Sequence, residues 1–456
     1  MNRLVQIIAA FLLICMTIPA SAAILTDDVL SPRLPDFDEW CTNPRMPVQL
    51  LSLPYGYPTD LAASDLDGDG SVEVLVATQK VVSNSGEWIS RLVLVDTSTS
   101  NDPSVEILAT VEGIQTEWGL TALRQGFVSQ LEVADVNGDE LSDILVVVQT
   151  ATDDPSVCSS YLLLVLGDGG GDFEILEIPL DLGFFLTGSI LAVDLDQSGE
   201  IVVIVPDPRG GTLFILQEFD SGHFETTATI LLQAQGFVPL QIVNDDIDND
   251  GDFDLVLGGF ELESSGVTQR SIRIAERIDK MEYSVGSSLK IGWLEPSVLE
   301  ISIAVTDADG NGWLDILATA RSDVETGISE LTPSWSEAET IFMLSQTEPG
   351  LFFSQILSWE ARGGPVSIEW SESDASSTRI VVHVPGSGCK LIEEDLGRNI
   401  GGTGRECIIP LSRSEAALLA DLDGDSWLEI VLASRGEGVT TDVWVSSVSL
   451  SRAESE

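Results

Sequence analysis

Short apolar runs rich in valine and leucine recur along the whole chain, separated by turns of Gly, Asn, Asp and Pro. The runs either alternate with polar residues or are continuous over four to seven positions, and a 3.6-residue period is almost absent. That pattern predicts short β-strands and an all-β fold. Residues 57 to 111 show the plan: "TDLAAS" at 59–64, "VEVLVAT" at 72–78, "RLVLVDT" at 91–97 and "VEILATV" at 105–111 read as four consecutive strands.

The first two of these strands flank an acidic stretch, "DLDGDGSVEVLVA" from Asp65, and the stretch repeats. Copies are "DVNGDELSDILVV" from Asp135, "DIDNDGDFDLVLG" from Asp246, "DADGNGWLDILAT" from Asp307 and "DLDGDSWLEIVLA" from Asp421. A weaker copy, "DLDQSGEIVVIV", starts at Asp194, and a decayed one lies near residue 372 in "SESDASSTRIVVHV". Seven units then fill the chain at about 59 residues each, a period that signals a propeller or solenoid. The last unit has "AALLA", "LEIVLAS" and "DVWVSSVSL" and is one strand short, while a spare strand, "PVQLLSL" at 47–53, precedes unit 1. Letting the spare strand complete the last unit closes the ring and removes two exposed sheet edges. The expectation is a seven-bladed β-propeller of four-stranded blades over residues 47–450, its last blade closed by the N-terminal strand.

Crowded carboxylates repel one another, so their density in a loop calls for a cation among them. Asp65, Asp67 and Asp69 alternate with Leu66 and Gly68, and Glu73 follows eight residues after the first. Three short side chains from a tight loop, a backbone carbonyl near Ser71 and a later carboxylate suit a hard cation that takes six to eight oxygens. In an EF-hand the closing acid falls eleven residues after the first aspartate, where this chain has Val76 and Leu257, so the loops are of another kind. The spacing resembles the calcium loops of FG-GAP and VCBS repeats, the blades of integrin alpha-subunit propellers. The resemblance implies calcium at Asp65, Asp67, Asp69 and Glu73; at Asp135, Asn137, Asp139 and Asp143; and at Asp246, Asp248, Asp250 and Asp254. It further implies calcium at Asp307, Asp309, Asn311 and Asp315 and at Asp421, Asp423, Asp425 and Glu429, so four or five structural Ca2+ ions. The Asp194 copy has Ser198 and no acid eight residues on, and the copy near 372 has lost the pattern.

Residues 1–22 carry Arg3, a short apolar stretch and Ala20-Ser21-Ala22, the pattern of a cleaved secretory signal peptide. Residues 23–46 are then an N-terminal extension, and the mature chain is expected to be secreted, extracellular or periplasmic. It keeps 20 Lys plus Arg against 74 Asp plus Glu, a formal charge of −54. Such a surface repels phosphate-rich partners and anionic lipid, which argues against nucleic acid and membranes. Four cysteines remain after cleavage, and export favours oxidation. Cys389 and Cys407 are placed on the third and fourth strands of the sixth blade and expected to bond, leaving Cys41 and Cys158 to pair by elimination.

No catalytic residues are nominated. The mature chain has two histidines, His223 and His383, both in strand-like runs, and neither GxSxG nor HExxH. The resemblance instead implies a binding or adhesion module for a glycan or protein ligand, the alternative being a polysaccharide-degrading hydrolase or lyase on the same scaffold. The ligand face is expected opposite the acidic loops. There the long stretch 321–339 with Trp335 and the connections carrying Trp118, Trp293 and Trp359 offer aromatic surface.

Overall fold

The computed structural model describes residues 47–446 apart from loop segments, of which 115–125, 324–336 and 423–427 matter most below. Seven antiparallel sheets follow one another along the chain. Blade 1 runs Tyr57–Ser64, Glu73–Val81, Glu87–Asp96 and Ser104–Ile114, each strand paired with the next, and blades 3, 5 and 6 repeat this order. Blade 7 contributes Ser414–Ala420, Glu429–Arg435 and Thr441–Ser446, and its fourth strand is Val48–Leu53, paired from Val48↔Val445 to Leu53↔Thr441. The fold is a seven-bladed β-propeller, with the ring closed as the strand count predicted.

First strands of neighbouring blades meet around the ring axis, among them Ser414–Ala420 with Tyr57–Ser64 and Ile303–Thr306 with Ser367–Ser373. A side chain five residues before the acidic loop links several of them. Asp60 accepts the Leu131 amide at 2.6 Å, Ser189 the Ile242 amide at 2.8 Å and Gln241 the Ile303 amide at 2.6 Å. These bonds satisfy backbone groups that a buried first strand would otherwise leave orphaned.

Seven apolar clusters form the core, one at each border between consecutive blades. Leu75 and Ala77 pack towards blade 2, whereas Val74 and Val76, one residue out of phase, pack towards blade 7. A second strand is thus covered on both faces, which explains its continuous apolar run; Val202–Asp207 is buried at every position. Outer strands face solvent in part, and Phe173–Leu180 mixes buried and exposed residues accordingly.

Two blades depart from the simple count. In blade 2 the first strand is split into Gly126–Phe127 and Glu132–Ala134, both paired with Asp143–Ala151. In blade 4 the outer strand is split into Glu282–Val285 and Leu289–Leu294, both paired with Thr268–Asp279, and the Gly286 amide donates to Ile274 O at 2.8 Å between them. The decayed repeat near 372 still builds blade 6, because its strands Ser367–Ser373 and Thr378–Val384 keep their apolar residues although the loop acids are lost.

Cys389 and Cys407 lie on the paired strands Gly388–Glu394 and Arg405–Pro410 of blade 6, but the register sets Cys389 opposite Ile409 and Cys407 opposite Leu391. They are therefore diagonal neighbours, with Cα atoms at a typical ~7–8 Å, against an upper range near 6.8 Å for a disulfide. A bond between them requires a small shear of the outer hairpin. Cys158 begins a third strand, in blade 2, and Cys41 lies outside the described residues, as do the expected signal peptide and residues 23–46. Cys389 is a buried thiol outside any disulfide, so non-reducing peptide mapping is expected to find no Cys389–Cys407 link; finding one would show that the hairpin shears to bring the two together.

Candidate metal centres

Each acidic loop joins the first strand of its blade to the second. Counting the first aspartate as position 1, position 2 is an apolar plug: Leu66, Val136, Ile247 and Ala308 are all buried. The chain then winds tightly, with positions 4 and 6 in the left-handed region. Those positions are Gly68 and Gly70, Gly138 and Glu140, Asn249 and Gly251, and Gly310 and Gly312. Glycine adopts this geometry without strain, and Asn tolerates it better than most residues.

The position-1 carboxylate caps this turn. Asp65 accepts the Gly68 and Gly70 amides at 2.8 and 3.0 Å, and Asp246 accepts Asp250 and Gly251, both at 3.0 Å. Positions 3 and 5 each accept the amide two residues on through one oxygen, as Asp67 does from Asp69 at 3.1 Å and Asp69 from Ser71 at 2.7 Å. The closing acid at position 9 starts the second strand and is buried in five blades: Glu73, Asp143, Asp254, Asp315 and Glu429. Its carboxylate accepts the position-2 amide throughout, at 2.8 Å for Leu66, 3.0 Å for Val136, 3.2 Å for Ile247, 2.9 Å for Ala308 and 2.8 Å for Leu422. In blades 2, 4 and 5 its other oxygen accepts a third-strand amide, from Gly167, Arg277 and Gln346 at 3.1, 2.8 and 2.7 Å.

Hydrogen bonds alone do not balance the charge. Burial, opposed by the backbone bonds and reinforced by neighbouring loop aspartates, pushes Glu73, Asp143 and Asp254 up to about 7 and Asp315 to about 6. Asp245, an extra acid one residue before the Asp246 loop, is likewise raised by burial to about 6. Oxygens of Asp65, Asp67 and Glu73 lie within 4.8 Å of one another, as do those of Asp246, Asp248 and Asp250 and of Asp307, Asp309 and Asp315. Two oxygens bound to one ion at about 2.4 Å are at most about 4.8 Å apart, so these groups fit a single calcium-sized cation. The donors are oxygen throughout, the set a hard cation selects over zinc or copper.

The remaining expected ligands differ in detail. In the Asp135 loop Asn137 supplies an amide whose nitrogen donates to Asp139 at 3.0 Å. Asn311 is tied to the third strand, its amide nitrogen donating to Gln346 O at 2.9 Å, while Ser345 donates to Asp309 at 2.8 Å. Asp421 is half-buried at the head of its loop, and Asp423 and Asp425 lie outside the described residues. Sequence spacing missed the third-strand groups because they arrive from a strand more than twenty residues away.

The aromatic candidates are scattered. Trp118 and Trp335 lie outside the described residues. Trp293 and Trp359 were expected in connections between blades; they fall instead within the strands Leu289–Leu294 and Leu351–Ala361, near their C-terminal ends. The long connection is 324–336, shorter than 321–339, because Asp323, the last residue of the second strand of blade 5, pairs with Glu337, the first residue of the third. His383 is buried, with Nε2 3.0 Å from Ser414 Oγ across the border of blades 6 and 7, and His223 begins the strand His223–Leu231.

No family model matches the chain, and no curated protein matches it. Among solved structures it is similar to the BP39L lectin from Burkholderia pseudomallei, with a TM-score of 0.50 and 12% identity, covering 86% of this chain and 97% of the lectin. BBS1N in complex with ARL6DN matches with a TM-score of 0.45 and 8% identity over 88% of this chain and 97% of that one. Trypanosoma rangeli sialidase in complex with the inhibitor DANA matches with a TM-score of 0.39 and 11% identity over 88% of this chain and 59% of the sialidase. At these identities the likeness is one of fold.

Proposed function

We propose that the protein is a secreted propeller of the FG-GAP/VCBS kind, held together by calcium in its blade loops, that binds a glycan or protein ligand. The observation that carries the calcium reading is the recurrence of one cage, a capped left-handed turn closed by a buried acid that burial holds near neutrality. An ionised carboxylate in such a place is stable only beside a compensating charge. Calcium bound there would be held by the position-1, -3, -5 and -9 side chains and would fasten the first strand of a blade to the second. Five ions offset ten charges and leave the mature chain near −44, too acidic for polyanion partners.

What surrounds these cages favours recognition over hydrolysis. Calcium in closed carboxylate loops is a poor activator of water compared with zinc, and buried His383 is spent on Ser414. The connection 324–336 leaves blade 5 at the end opposite the acidic loops, which makes it the first candidate for ligand contact. The test is a glycan and matrix-protein binding screen run with calcium and with chelator. Replacing 324–336 by a short Gly-Ser loop is expected to leave calcium content and melting temperature unchanged and to weaken binding of the hit. Unchanged binding moves the site elsewhere. Release of reducing ends or unsaturated sugars by the purified protein would favour the enzyme reading.

A further inference from the structure

Blade 3 retains the loop but lacks its closing acid, for Val202 stands eight residues after Asp194. The loop nevertheless keeps the capped start, with Asp194 accepting the Ser198 amide at 3.1 Å and Leu195 buried as the position-2 plug. The carbonyl of that plug is met by a side chain from the next blade. Arg277, on the third strand of blade 4, donates from Nη1 to Leu195 O and from Nη2 to Asp252 of the neighbouring acidic loop at 3.0 Å. Its side chain is only 9% exposed. Buried guanidinium requires carboxylate and carbonyl acceptors in fixed places, and both are supplied here by loops.

The same third-strand position can be compared in three blades, because its amide binds the closing acid of its own blade. In blade 5 the residue is Gln346, whose Nε2 reaches Ile247 O, the position-2 carbonyl of the complete loop in blade 4, at 3.0 Å. In blade 2 it is Gly167, where an added Cβ would lie 2.9 Å from Leu66 O, the position-2 carbonyl of the complete loop in blade 1. A cation therefore stands at this position where the preceding loop lacks its closing acid, and neutral residues stand where the preceding loop keeps it. We propose that the guanidinium of Arg277 does for blade 3, from outside the cage, the fastening that the metal does for the complete loops: it holds the Asp194 loop through Leu195 O, ties it to the blade 4 loop through Asp252, and makes that one loop independent of calcium.

The comparison with the other loops rests on the calcium reading above, so the test separates the two. Hydrogen exchange is followed on the mature protein with calcium and with chelator. Amides of 194–204 are expected to keep their protection in chelator, while those of 65–74, 246–255 and 307–316 lose it. In Arg277→Gln, which retains the neutral donor found in blade 5, amides of 194–204 should exchange about tenfold faster in both conditions. Arg277→Lys, which keeps the charge without the two-pronged geometry, should fall between. Protection of 194–204 that vanishes with chelator, or that is unchanged in Arg277→Gln, would overturn the proposal. If no loop responds to chelator, the calcium reading fails and the Arg277→Gln comparison still decides the role of Arg277. If Arg277→Gln does not fold, the wild-type comparison decides alone.

Discussion

Calcium returned to the chelator-stripped protein, at ten times its dissociation constant, should raise the melting temperature by about 8 °C. One site at that saturation contributes RT ln 11, about 1.4 kcal/mol, and five independent sites about 7 kcal/mol. Unfolding entropy near 2.1 cal/mol/K per residue over about 400 ordered residues is about 0.84 kcal/mol/K, and 7 divided by 0.84 gives the shift. Extracellular calcium modules bind in the range of about 0.1 to 1 mM, so millimolar calcium suffices. Elemental analysis should count four or five ions. Magnesium should substitute poorly, since it demands a tighter octahedral shell than a cage built from carboxylates and a carbonyl provides. Asp67→Ala with Asp69→Ala should remove one ion and less than about 2 °C of the shift, the share of one site in the same arithmetic. Fewer than three ions, or a melting temperature indifferent to calcium, would reduce the aspartates to solvated turns.

What the sequence made legible was whatever is local or strictly periodic. The run "VEVLVAT" announces a strand covered on both faces, and Val74 and Leu75 do face opposite blades. The spacing from Asp65 to Glu73 places the closing acid at the head of the second strand, where it is buried. Val48–Leu53 was identifiable as the closing strand because the last unit lacked one. Groups that depend on how one strand aligns with another were not legible. Gln346 touches a loop 99 residues earlier, and Arg277 one 82 residues earlier, so no local spacing marks either of them. Cys389 and Cys407 were placed on the correct strands, yet a register that sets each opposite an isoleucine or leucine makes them diagonal. Trp293 and Trp359 read as connection residues because neighbouring Gly and Pro resemble turn signals, but pairing with a long third strand extends both outer strands past them.

Acidification should stabilise the metal-free protein, the reverse of ordinary acid denaturation. Four closing acids are displaced upwards in the folded state: Glu73 from 4.5 to about 7, Asp143 and Asp254 from 3.8 to about 7, and Asp315 from 3.8 to about 6. Between the unfolded and folded values the native chain binds more protons than the unfolded one, so unfolding free energy falls as pH rises through that window. Each tenfold change in proton affinity corresponds to about 1.4 kcal/mol, and relaxation of the loops leaves on the order of 2 kcal/mol per site. Repulsion within a chain of formal charge −53 acts in the same direction. In chelator, the melting temperature should therefore drop by several degrees from pH 5 to pH 8. With calcium present the order inverts, because protons compete with the ion for the same oxygens and stability is lost below about pH 6. Glu73→Gln, which keeps an oxygen for the Leu66 amide, separates the two effects: at pH 8 it should melt higher than wild type in chelator, having lost a buried charge, and lower than wild type in calcium, having lost an ion. A metal-free protein that grows more stable from pH 5 to pH 8, or a Glu73→Gln variant weaker than wild type in both conditions, would show that the buried carboxylates are balanced by the protein alone.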